Sequence, residues 1–347
     1  MVNLICGQNE VEIINSLAER LKNYATVKQE TEITLKKQKL PVYSFSFGES
    51  KEDQPCLIFV GGVHGLELIG SQLVVSYLTS LSNMLEWDQV FRMQLMKMKL
   101  IFYPCANPGG LVNNTRSNPS GIDIMRNAPL DGKNIPFYHL HSGQRYSKYL
   151  PWYRGKKKKE MEPESQALCR FIRREAFTSP VSLIVDIHSG FGVRDRIWFP
   201  YAYSKKVYPR LAEMVKFTEL LQKSFPQNIY KIEPQCLNYR THGDLWDFLF
   251  LEHVDKFDKG NIFLPLCLEL GSWSWIRKNP LQIFSNKGPF HPVVPHRHKR
   301  ILRRHLYFFD FLMRLVISHK NWLSISDSDR KELESKGQVR WYQRYNK

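Results

Sequence analysis

The stretch FVGGVHGLELIG, residues 59–70, places His64 and Glu67 three positions apart directly after an apolar run. Two further acid–base groups end similar runs, His188 in VSLIVDIHS and Glu269 in NIFLPLCLEL. A histidine and a glutamate at this spacing occur by chance in many proteins, so the pair alone reads equally as a polar bend after a buried strand. Joined by His188, it becomes two histidines and one carboxylate. That set suits a catalytic zinc with one position left for water, and is chemically open to iron as well. In an extended strand Asp186 and His188 face the same side. Asp186 is therefore either a carboxylate behind the histidine or a satisfied surface acid, and it stays outside the predicted site.

These residues need elements to hold them. The runs CLIFVGG (56–62), KLIFYPCANP (99–108), VSLIVDIHS (181–189) and NIFLPLCLELG (261–271) are short, nearly continuous in apolar residues and broken by Gly, Pro or Asn. Such runs predict strands buried on both faces. GSQLVVSYLTSLSNML and PESQALCRFIRREAF between them read as helices, and the alternation predicts an α/β sheet covered on both sides. His64, Glu67, Asn107, His188 and Glu269 all fall at the C-terminal ends of these strands, the edge where open α/β sheets bind ligands. Asn107 is expected to form a turn there. Val11, Ile14, Leu17 and Leu21 are spaced as on an amphipathic helix. No Gly-, Ser- or Pro-rich linker divides the chain. The expected organisation is a helical lead-in over 1–30, one catalytic domain over 31–320, and a polar tail over 321–347 with little share in the core.

With 347 residues, 43% of them hydrophobic, the chain can bury a large core. Its 50 Lys and Arg against 33 Asp and Glu give a net charge of +17, which favours contact with anions. The charge gathers at Lys156, Lys157, Lys158 and Lys159 and at Arg297, Lys299, Arg300, Arg303 and Arg304. Both runs read as solvated basic faces, because no nucleic-acid reading module accompanies them. The six cysteines are scattered without a CxxC pair and read as reduced core thiols. No apolar run approaches the ~20 residues of a membrane span, and the first residues lack a signal-peptide pattern, so a cytoplasmic protein is expected. His139, His141, His291, His296, His298 and His305 match no zinc-module spacing and are expected to be solvated.

Taken in order, GGVHGLE, NPGG, NNTRSNPSGIDIMRN, YRGKKKKEMEPESQAL, DIHSGFG, NYRTHGDLWDF and CLELG resemble the motif series of M14-type zinc carboxypeptidases, from about residue 55 to 275. The resemblance implies a single domain with a central twisted mixed sheet of about eight strands, flanked by helices on both faces. It implies one zinc ion on His64, Glu67 and His188. Glu269 would be the catalytic general base, Arg116 would assist at the oxyanion, Arg126 would grip a terminal carboxylate, and Tyr239 would contact substrate. The implied reaction is hydrolysis of a peptide or peptide-like amide, and the basic surface makes an acidic peptide one candidate substrate. Departures from the family pattern are Met125, which replaces a side chain able to donate to a carboxylate, and Leu66, which replaces an arginine. Trp246 is expected to narrow the specificity pocket. Two other functions compete. One is deacylation of N-acyl amino acids, as in the aspartoacylase and succinylglutamate desuccinylase branch, against which EPES and Tyr239 weigh. The other is a polyanion-binding protein with a structural metal.

Overall fold

Each of the four apolar runs forms a strand in the computed structural model, which describes residues 7–48, 53–157, 159–257, 260–285 and 288–343. The strands are β1 (Thr26–Leu35), β2 (Gln38–Phe47), β3 (Cys56–Val60), β4 (Lys99–Tyr103), β5 (Val181–Ser189), β6 (Arg196–Phe199), β7 (Lys231–Pro234) and β8 (Ile262–Leu270). They form one eight-stranded sheet in the order β1-β2-β4-β3-β5-β8-β6-β7. Its centre, β4-β3-β5-β8, is parallel, and antiparallel pairings at β2/β4 and β8/β6 make it mixed. Every residue of β3, β4 and β5 is buried, which explains why these strands read as continuous apolar runs.

Side chains alternate across a strand, and the aromatic contacts show what covers each face. Phe59 and Phe102 pack on Tyr77 of the helix Leu68–Met84, and Phe59 on Phe309 of the helix Leu306–Ile317. Tyr103, the next residue along β4, turns the other way onto Phe171 of the helix Pro163–Ala176. Helices therefore flank both faces, as expected.

The terminal segments depart from the expected divisions. Residue 30 lies inside β1. The lead-in helix Gly7–Arg20 buries Val11, Ile14, Leu17 and Ala18 in the common core. The tail expected to add little contributes Trp322, Leu333 and Trp341 to that core. In the helix Asp327–Gly337 most charged residues face outward and only Leu333 and Gly337 are buried. Cys56, Cys105, Cys169 and Cys236 are buried free thiols and Cys267 is half-buried, while Cys6 lies outside the described residues. Among the described residues no helix is long and apolar enough to cross a membrane.

Candidate active site

β5 and β8 are parallel neighbours, and their register sets His188 opposite Glu269. Registered residues on adjacent strands project from the same face, so both side chains emerge together at the C-terminal edge. β3, the other neighbour of β5, ends at Val60 opposite Asp186, and the chain then turns through Gly61–Gly65 to deliver His64 and Glu67. Gly65 lies against the helix Pro108–Asn113, where a Cβ would come within 2.0 Å of the Gly110 carbonyl carbon. Only glycine permits that approach. Asn107 caps this helix by accepting from Gly110 N at 2.8 Å, the turn-forming role expected of it.

Glu67 occupies the N-cap position of the helix Leu68–Met84 without using its side chain as a cap. Its carboxylate reaches His64 Nδ1 at 2.9 Å, His188 Nδ1 at 3.1 Å, the Ser189 amide at 2.9 Å and Arg116 Nη1 at 3.1 Å. The two Nδ1 atoms face each other at 3.2 Å. Behind them, His64 Nε2 meets Asp123 Oδ1 at 3.2 Å and His188 Nε2 meets Asp186 Oδ2 at 2.6 Å. An Nε2–H donated to each aspartate leaves both Nδ1 lone pairs aimed inward beside a carboxylate, an arrangement that repels itself unless a cation or proton sits between. Donor atoms on a tetrahedral zinc lie roughly 3.3 Å apart, given bonds of about 2.0–2.1 Å. The residues therefore suit the ion, and among the described residues this is the one such cluster, with ligand atoms within 4.8 Å of one another. The electrostatics agree. Burial opposes charge on His188, yet Asp186 and Glu67 outweigh it and hold the ring well above the usual imidazole range. Burial likewise pushes Glu67 up, but the two histidines pull it below the usual carboxylate range.

Glu269 is buried beside this cluster and accepts a hydrogen bond from Phe191 N at 2.9 Å. Burial, then the charge of Glu67, raises its carboxyl to about 8, against the opposing pull of His188, Phe191 N and Arg116. Arg116 donates to Asp123 Oδ2 at 2.9 Å as well as to Glu67. Arg126 is buried 5.9 Å from the Tyr239 ring, and its Nε has no hydrogen-bond partner. His64, Glu67, Arg116, Arg126, His188, Tyr239 and Glu269 line one cleft of about 620 Å³, together with Leu66, Met125, Trp152 and Trp198.

Two expectations fail. Trp246 does not line the cleft; it is buried at the start of the helix Leu245–Phe257 and donates from Nε1 to Asp186 Oδ2 at 2.7 Å, so the narrowing indoles are Trp152 and Trp198. His291 and His305 are buried, not solvated, and His305 Nδ1 meets the Tyr230 hydroxyl at 2.8 Å. Half-buried His298 meets Gln72 Oε1 at 2.6 Å. Asp186 stands behind His188, the first of its two readings, and Asp123 stands in the same way behind His64. For Asp186 the two-residue offset from His188 was the available signal; Asp123 offered none beyond lying in the Arg126 motif.

A mixed sheet carrying this cluster at the C-terminal ends of its central parallel strands defines a metallocarboxypeptidase-like hydrolase. The profile described as zinc carboxypeptidase, Peptidase M14, matches residues 11–253, and the chain belongs to that family. Glu269 lies beyond the matched residues. No curated protein matches the sequence. Among solved structures, the fold is similar to that of thrombin-activatable fibrinolysis inhibitor, at 17% identity and TM-score 0.65, over 92% of this chain and 75% of that one. The bovine inhibitor in complex with tick carboxypeptidase inhibitor gives 16% and 0.58, over 90% and 96%. Carboxypeptidase A from Helicoverpa armigera gives 15% and 0.55, over 74% and 62%.

Proposed function

We propose that this chain is a zinc-dependent carboxypeptidase-type hydrolase that cleaves a peptide, or a peptide-like amide bearing a free carboxylate. The observation that carries it is the inward convergence of His64 Nδ1, His188 Nδ1 and the Glu67 carboxylate, with Glu269 in register beside them. His64, Glu67 and His188 would hold one zinc ion. When bound, zinc supplies Lewis acidity that polarises the scissile carbonyl and acidifies water. Glu269 accepts a proton from water and returns it to the departing nitrogen. Arg116, on the rim of the cluster, presents a fixed positive charge to the oxygen that becomes negative. Arg126 binds the substrate carboxylate: it is a buried guanidinium whose Nε lies 3.9 Å from Asp123 Oδ2 and makes no hydrogen bond, and such a donor is costly to leave unsatisfied. Tyr239 packs beside Arg126 and forms part of the same wall. Buried free thiols suit a reducing compartment, in keeping with a cytoplasmic location.

The test combines metal content with chelator-sensitive turnover on a panel of C-terminal peptides, acidic ones included, and N-acyl amino acids. Stoichiometric zinc and peptide cleavage are expected. Glu269→Gln should retain zinc while losing turnover, and Arg126→Ala should raise KM by roughly 10–100-fold, since hydrogen bonds to charged groups are worth about 1.5–3 kcal/mol. Cleavage confined to N-acyl amino acids would replace this reading with the deacylase.

A further inference from the structure

The lysine run has a structural context that the catalytic site leaves unused. A cavity of about 580 Å³ lies on the other side of the Arg126 segment and shares no lining residue with the cleft. Its walls carry Arg145, Arg154, Lys156, Lys159, Arg170 and Arg173 against a single acid, Glu160. Three of these cations are compensated: Arg154 by Asp131 at 2.6 Å, Arg173 by both oxygens of Glu252, and Lys159 by Glu162 at 3.4 Å. Arg145, Lys156 and Arg170 have no ion pair among the described residues. Arg154 is itself buried, and burial, then the nearby Arg145, draws its guanidinium down to about 10. The wall is also firm. Arg154 donates to the carbonyls of Arg126, Ala128 and Leu130, and Arg145 Nη1 to that of Gly155 at 2.6 Å.

We propose that this cavity is a second binding site, distinct from the catalytic cleft, for a small molecule carrying two or more phosphate-type charges. The volume is that of a small-molecule site. Guanidinium groups pair with phosphate through two parallel hydrogen bonds, and exposed Lys156 supplies a mobile point charge at the mouth. A concave site of this size admits a compact anion and excludes a duplex, which is read by a stripe or a groove-entering element.

The experiment is calorimetric titration of the zinc-loaded full chain with pyrophosphate. A single saturable site is expected. Lys156→Ala/Arg170→Ala should weaken it by at least about tenfold, since each cation contributes charge-assisted hydrogen bonds. Lys299→Ala/Arg300→Ala, which removes the same charge from the helix Pro295–Arg304, should leave it unchanged. All four side chains are exposed, so neither variant threatens the fold. Equal loss in both variants, loss in neither, or binding only of long polyphosphate or an oligonucleotide would each overturn the proposal.

Discussion

Each candidate imidazole ligand is held from behind by a carboxylate, and the two carboxylates are held differently. Asp123 accepts from Arg116 and from the Met125 amide, whereas Asp186 has one further partner, Trp246 Nε1. Asp186 therefore acts chiefly on His188, fixing its ring and raising its basicity. Removing such a partner weakens metal binding by roughly 10–100-fold. Asp186→Ala is thus expected to lower zinc affinity in that range, read by competition with a chromogenic chelator. Asp186→Asn keeps an acceptor and should lose less. Unaltered affinity in both would show that the ring is held by packing alone. These aspartates were not legible because their role depends on where a ring's outer nitrogen points, which spacing does not specify. The candidate ligands were legible because each falls at or just beyond the end of an apolar run.

At the scale of elements, the central strands were readable because burial on both faces erases polar alternation. The edge strand β1, TVKQETEITL, is largely polar, and β6 and β7 have four residues each; none carries that signal. Trp246 was misplaced because Asp244 accepts from the Trp246 and Asp247 amides at the start of the helix Leu245–Phe257, which carries the indole back to Asp186. The turn at Gly243, just before that helix, constrains the Arg126 backbone. Gly243 has φ +70°, and a Cβ there would lie 1.8 Å from the Arg126 carbonyl oxygen. Gly243→Ala must move Arg126 or the helix start. Left-handed strain alone costs on the order of 1–3 kcal/mol, so a drop of at least that size in urea unfolding is expected, with KM rising more than kcat falls. A stable variant with ordinary KM would show that the two segments are not rigidly coupled.

At the scale of the whole molecule, both ends of the described chain close the structure. Trp341 donates from Nε1 to the Ile232 carbonyl of the terminal strand β7 at 2.8 Å and packs edge-on against Phe199 of β6. It thereby satisfies and covers a sheet edge that would otherwise invite pairing. Trp341→Ala should cost about 3–5 kcal/mol, visible as a lower unfolding midpoint, with β6 and β7 exchanging amide hydrogen first. At the other end Glu10 is buried between the helices Gly7–Arg20 and Leu68–Met84, with Oε1 accepting from Ser71. Burial raises its carboxyl from 4.5 to about 8, partly offset by hydrogen bonds from Gln72 and Ser71. Because the folded value lies above the unfolded one, the native state holds this proton more tightly. The resulting stability is complete below about pH 4.5 and is lost as pH rises through about 8. Glu10→Gln, which keeps the shape and removes the titration, should therefore gain on the wild type across that window, by a few kcal/mol at its upper end. Urea midpoints at pH 5, 7 and 9 measure the difference. Parallel pH curves for the two proteins would mean that the carboxylate finds a compensating partner on ionising and that the helix interface carries no pH dependence from this residue.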